Sequence, residues 1–441
     1  MVHTKFKHLA LHQGSPTQHR GSAILVVIWS LTVGVLIASS VQIFAYRQAV
    51  QGAEAVQRIQ ARWAARAGLE QTIAAMADFT ESPDPNDAWA MTRAFDAVAD
   101  GQTNNASWII RHHIDGQTYL GPMDEHAKLN VNGQARQFLL FLLDSPPVGV
   151  PEAIEDWIDE DDEITGLVGA ERDWYNGFEN PYDPRNGPIQ SMAEMELIAG
   201  IDPIDLRGED WNLNNRLDSS ENDALMTLPA DEPDGILDAG WSQRLTPYSR
   251  GWGATLSGLP RLQLIEVLPE DLADRVKITT SQAEQLIALS QSDGFSLETL
   301  ITTPINASGD DVELLTDDEI ANVLAECTMF PSYQVQYGKL NINTVPEDLL
   351  SDMFPDDPML VDEIIRMRRQ SQGITSMMEL LDAPDMERED VEQMSYYLDT
   401  SSNVFTISSI GRSDLSGLEV EIIAVVDRST LPVRILEYRE E

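Results

Sequence analysis

The chain is poor in several residue types on which common activities depend. Cys327 is the one cysteine in 441 residues, so an internal disulfide is excluded, and an oxidising compartment is permitted but not indicated. Lys and Arg total 29 against 73 Asp and Glu, a formal net charge of -44. Nucleic-acid backbones are held mainly through Lys and Arg, so this balance argues against a nucleic-acid partner. Of seven histidines, four lie in the N-terminal head; His112 and His113 are neighbours on one strand and point to opposite faces, and His126 stands alone. The chain has no His-Glu-x-x-His, no Gly-x-Ser-x-Gly and no Gly-x-Gly-x-x-Gly phosphate loop, so catalysis finds little support. The acidic excess suits solubility and divalent cations instead.

What is present begins with Ser22 to Val41, an apolar run without a charge behind a short head containing Lys5, Lys7 and Arg20. About 20 residues at roughly 1.5 Å rise cross the ~30 Å hydrocarbon core of a bilayer, whereas the apolar region of a signal peptide is shorter. No acidic residue precedes Glu54, so the positive flank is expected in the cytoplasm and the bulk of the chain in the periplasm. A cleaved signal peptide ending near Ala38, Ser39 and Ser40 is the competing reading. Against it, Val56, Ile59, Trp63, Ala64, Ala67 and Leu69 continue at helical spacing among Arg58, Arg62 and Arg66. One long helix is expected, spanning the membrane over 22–46 and amphipathic over 47–80.

Beyond a break at Glu81 to Asn86, Trp108 to His113 and Gln117 to Leu120 read as a hairpin around Asp115-Gly116. Val404 to Ile410, Leu418 to Val426 and Val433 to Tyr438 read as three more strands. The fold class expected is α+β: the long helix, an antiparallel sheet built from 81–123 and 401–441, and a mainly helical insertion over 124–400. Lys128-Leu129-Asn130-Val131-Asn132 recurs as Lys339-Leu340-Asn341-Ile342-Asn343. After the second copy, Asn343 or Thr344 is expected to cap a helix over 346–353, a second helix spans 361–369, and Ser376 caps a third over 377–381. Residues 336–398 thus form a helix-hairpin-helix (SAM-like) unit. Its hairpin, Phe354-Pro355-Asp356-Asp357-Pro358, is acidic and lacks glycine, which favours packing over anion binding.

Arg20-Gly21 ahead of Ser22-Ala23-Ile24-Leu25-Val26, Asp124 to Asn132, Asp156-Trp157-Ile158-Asp159-Glu160-Asp161-Asp162 followed by Gly169-Ala170-Glu171, and Lys339 to Thr344 occur in that order. In combination they resemble the minor pseudopilin K family of the type II secretion system. The resemblance implies a pseudopilin fold, a leader over 1–21, cleavage after Gly21 by a prepilin peptidase and methylation of Ser22. Most pseudopilins carry glutamate at the fifth mature position, where it serves the subunit above; here Val26 stands there, as is characteristic of the K type. That implies a place at the filament tip, with I- and J-type minor pseudopilins, the pseudopilus and secreted substrate proteins as partners. The inner membrane would hold the chain by a single pass.

Asp210 to Glu221 fits the twelve-residue calcium loop. Asp210, Asn212, Asn214, Asp218 and Glu221 fall at the side-chain positions, Arg216 offers the carbonyl, Asn215 replaces the turn glycine, and Leu217 is placed to anchor the loop. A solvated Asn/Asp turn is the plain alternative. Asp231, Asp234 and Asp238 make a partial second match. Glu152 to Glu163 has eight acids in twelve residues; it reads as a hydrated helix face, with Asp156, Asp159 and Asp161 as outside metal candidates. Calcium is the cofactor expected, in a structural role. Two other functions stay open: a membrane-anchored DNA-receptor-like protein of competence type, which the acidic hairpin and net charge oppose, and an unrelated calcium-binding periplasmic module, which requires Gly21 to remain uncut.

Overall fold

Without water to bond to, an apolar run must satisfy its own backbone, and a helix does so completely. In the computed structural model, which describes residues 20–114, 117–133, 149–228, 231–251, 255, 258–306, 312–331 and 336–440, Arg20–Glu81 is one helix of 62 residues. Most of the leader, residues 1–19, and the Asp115-Gly116 turn lie outside the described residues. Among the described residues this is the one helix long and apolar enough to cross a membrane, with mean hydropathy 2.4 in its most apolar window. The hydroxyls of Ser30, Thr32 and Ser40 donate to carbonyls one turn back, which pairs their polar atoms inside the run.

Two compact units divide at Ile59 and Gln60. In the second, the helix turns small residues inward: Ala61, Ala64 and Ala65 are fully buried, and the Ser409 hydroxyl donates to the Ala65 carbonyl at 2.7 Å. Gly411 permits this approach, because a β-carbon there would collide with the Ala61 and Ala65 backbone.

The sheet has seven strands: β1 (Asp100–Thr103), β2 (Ala106–Ile114), β3 (Gln117–Leu120), β4 (Met123–Asp124), β5 (Val404–Ser413), β6 (Glu419–Asp427) and β7 (Arg434–Glu440). All pairings are antiparallel, in the order β1-β2-β5-β6-β7, with β3 on β2 and β4 on β5. The expected meeting of early and late strands occurs at β2 and β5, where Trp108 faces Gly411. Leu69, Met76, Ile110, Phe405, Ile407 and Ile422 are buried between helix and sheet.

Between β4 and β5 lies the insert, with its own core. Both copies of the repeat use their asparagines identically. Asn132 exchanges a pair of hydrogen bonds with the Ile189 backbone, 2.9 and 2.8 Å, and Asn343 does the same with Ile374, both 2.8 Å. Leu129–Asn130 then pairs in parallel with Leu245–Thr246, and Leu340–Asn341 with Leu398–Asp399. A third such ribbon, Leu262–Gln263 with Cys327–Thr328, was not evident from the sequence because it lacks the asparagines. Pro269-Glu270-Asp271-Leu272 opens its first helix as Pro346-Glu347-Asp348-Leu349 does in the last copy.

Three local expectations are corrected. Neither Asn343 nor Thr344 caps the helix Glu347–Met353, whose N-cap is Pro346 with no side-chain bond, since Asn343 is spent on Ile374. The next helix is Pro358–Arg368, capped by Asp357, and the segment capped by Ser376 is a 3-10 turn, Met377–Asp382.

Candidate metal centre

The helix Val150–Ile158 buries Val150, Ala153, Ile154 and Trp157, an apolar stripe at helical spacing, and Asp156 is buried with them. Asp156 therefore lies inside, near the carbonyl end of the helix, where a second negative charge is disfavoured. Asp159 ends the helix in extended conformation, and the chain returns as the loop that leads to Glu171. The backbone N–H of Thr165 donates to Asp156 Oδ1 at 2.8 Å, and Gly169 passes so near that a β-carbon would strike Asp156 Oδ2.

Asp156, Asp159 and Glu171 each bring a carboxylate oxygen within 4.8 Å of the others. Asp156 Oδ2, Asp159 Oδ1 and both Glu171 oxygens are buried without a hydrogen-bond partner. Burial, then the charges of Asp156 and Asp159, push Glu171 up to about 7; burial, then Asp161 and Asp156, raise Asp159 as well. Arg172 does not relieve them, since its guanidinium lies 3.7 Å from Asp162 and 3.2 Å from Asp183. An all-carboxylate donor set of orphaned oxygens fits a hard cation such as calcium. Asp161 is exposed, accepts from the Glu163 N–H and stands apart from the trio. Glu171 was absent from the ligand candidates, because only the returning loop brings it to Asp156.

Loop 210–221 also gathers its residues, but satisfies them. Asp210 accepts the N–H groups of Asn214 and Asn215 on its two oxygens, 2.9 Å each, and Glu221 those of Trp211 and Asp218 at 3.0 and 2.9 Å. Asp218 takes the side-chain amides of Asn212 and Asn214 at 3.0 Å and the Arg216 guanidinium at 2.6 Å. Asn215 adopts positive φ, 53°, as its turn position requires. Leu217 is half-buried; Leu213 packs against the insert core instead. Burial pushes Asp210 up to about 6, and burial followed by Asp210 and Asp218 pushes Glu221 up to about 7.

Three sheet strands hold this loop, which nothing in its motif signals. His113 of β2 donates its N–H to the Asn215 carbonyl at 3.2 Å, with its Nδ1 at 3.1 Å from the same oxygen. Glu421 of β6 accepts from Arg216 at 2.9 Å and Asn214 at 3.3 Å, and Arg439 of β7 donates to the Asn212 and Leu213 carbonyls at 2.5 and 2.9 Å. By contrast, Asp231, Asp234 and Asp238 each accept from a nearby backbone N–H, of Ala224, Ile236 and Gly240, and do not form a trio. His112 and His126 rest their Nδ1 atoms on the Gly121 and Lys339 carbonyls.

Fold and site define the class as an α+β chain with one long apolar helix, an antiparallel sheet and an acid-rich helical insert. The comparisons add a family likeness. Residues 125–208, which contain the carboxylate trio, match the family model of type II secretion system (T2SS) protein K. The type II secretion system protein K of Klebsiella pneumoniae is 28% identical over 195 residues, 42% of this chain and 59% of that protein, so the match spans under two thirds of that relative. The crystal structure of the GspK-GspI-GspJ complex from enterotoxigenic Escherichia coli aligns at a TM-score of 0.47 and 14% identity, covering 89% of this chain and 99% of that one. Residues 125–208 are thus similar to the type II secretion protein K family, the family that the sequence motifs resemble.

Proposed function

We infer that the chain is a noncatalytic minor pseudopilin at the tip of a type II secretion pseudopilus. The observation that carries this reading is the protein K match over 125–208. Supporting it, Ser22 opens the apolar run and Val26 leaves the fifth mature position without a charge that would need a neighbour above. Prepilin peptidase cuts after Gly21 and methylates Ser22, and the helix stays in the inner membrane with the bulk of the chain periplasmic. I- and J-type minor pseudopilins, such as those in the solved complex, are its partners, and the assembled tip starts the filament that exports folded proteins. Mass measurement of the mature N-terminus tests the first step: methylated Ser22 is expected, and an intact Met1 or a cut after Ser40 removes the reading. Co-purification of the full chain with I- and J-type pseudopilins tests the second, and a chain that binds neither is not a tip subunit.

Calcium is the structural cofactor in this reading. Asp156, Asp159 and Glu171 would hold it, and its charge would remove the repulsion that otherwise opposes closing the loop between them. Loop 210–221 is the weaker candidate for a cation, because backbone N–H groups already occupy the oxygens of Asp210, Glu221, Asn212 and Asn214.

A further inference from the structure

The loop that returns from Asp159 to Glu171 carries three exposed apolar side chains within five residues: Ile164 at 57%, Leu167 at 98% and Val168 at 44%. Single exposed leucines need no explanation, but a cluster on an ordered loop is a different matter. This loop is held at its base, by Thr165 on Asp156 and by the Gly169 N–H on the Thr165 carbonyl at 3.3 Å, so Leu167 is displayed on a built support. Glu160, Asp161, Asp162 and Glu163, all exposed, stand beside it.

We propose that this tip is a docking surface, set by the cation at Asp156, Asp159 and Glu171, for a protein surface whose apolar pocket is ringed by Lys and Arg. The acidic border selects that partner by charge. A second copy of this chain, at a formal charge of -44, and an anionic lipid surface are both repelled. The inference rests on the metal reading above, because the ion is what removes the repulsion among the carboxylates beneath the loop.

The test uses the full chain in detergent micelles, a fluorescent amphipathic Lys/Leu peptide as probe and a Glu/Leu peptide of equal length as control. Terbium luminescence sensitised by Trp157, next to Asp156, reports the ion independently. Calcium is expected to tighten the Lys/Leu peptide by about tenfold relative to chelator. Leu167→Ser is expected to abolish that gain, and Leu225→Ser, at a leucine 80% exposed elsewhere, to leave it intact. Non-specific attraction to an acidic protein moves the other way, weakening as divalent cation is added, and ignores Leu167. Peptide binding unchanged by calcium or by Leu167→Ser, equal binding of the Glu/Leu peptide, or Leu167-dependent flotation with phosphatidylglycerol vesicles overturns the docking surface while the luminescence still upholds the ion. Absence of luminescence that Glu171→Gln can remove sinks the metal reading and the docking surface together.

Discussion

Four buried carboxylate oxygens in the 156–171 segment have no hydrogen-bond partner, whereas in loop 210–221 Asp210 and Glu221 accept backbone N–H groups and Asp218 faces Arg216. The first stretch is the more acidic, with seven Asp and Glu in 16 residues against three in 12, and only the second matches a metal-loop pattern. A burial that leaves oxygens unsatisfied is expensive and calls for a cation from outside, while one that fills them from the chain itself needs none. The first stretch is accordingly the one we propose as the metal centre. The second is a clamp, tied to β2, β6 and β7 through His113, Glu421 and Arg439.

The largest effect that tests this contrast is metal removal. With calcium at a thousandfold excess over its Kd, the full chain is expected to gain about 4 kcal/mol over the chelated form. Scanning calorimetry with and without chelator measures it. Glu171→Gln should remove most of the difference and Glu221→Gln little; the reverse pattern would exchange the roles of the two stretches.

Protons should act on strand β2 as well. Burial holds His112 of β2 down to about 4, from an ordinary 6.5, with the Gly121 carbonyl bond opposing that shift. The folded imidazole binds its proton more weakly than the unfolded one, so the associated stability is complete above pH 6.5 and lost as pH falls toward 4. The full loss is about 3 kcal/mol. Denaturant midpoints followed from pH 7.5 to 4.5 in wild type and His112→Asn check this, and parallel profiles would contradict it.

These differences explain what was legible in the sequence. Richness in Val and Ile between breaks placed the three late strands close to their observed bounds, and the apolar run with the helical spacing beyond it placed the helix that ends at Glu81, because these signals are local. The cap on the 347–353 helix was misread because Asn343 looks identical as a cap and as a clamp on Ile374; tertiary pairing decides between them. Glu171 as a ligand, and Glu421 and Arg439 as tethers, depend on contacts between distant segments that no spacing rule encodes. Motif spacing ranked the satisfied loop above the orphaned trio, since a pattern records which acids are present and not which lack partners.

A smaller effect concerns the clamp itself. Arg439→Ala removes two charge-assisted bonds to the Asn212 and Leu213 carbonyls, which is expected to cost about 2 kcal/mol. The contrast predicts the same cost in calcium and in chelator, measured by denaturant unfolding of the full chain. A cost that grows in calcium would mean that the ion and the tether share the loop, and would bring a cation back to Asp210 and Glu221.

The smallest effect is at Asp161, a residue the acidic run groups with Asp156 and Asp159. Its exposed carboxylate accepts only from the nearby Glu163 N–H, a role that an asparagine oxygen fills equally well. Asp161→Asn should therefore change stability by less than about 0.5 kcal/mol and leave the calcium response of the melting transition unaltered. Asp156→Asn, five residues earlier in the sequence but fully buried, should abolish that response. If both variants lose it, the ion is held by the general negative field of the segment. If only Asp156→Asn does, the buried geometry holds it, and exposure becomes the property that separates a ligand from its neighbours in an acidic run.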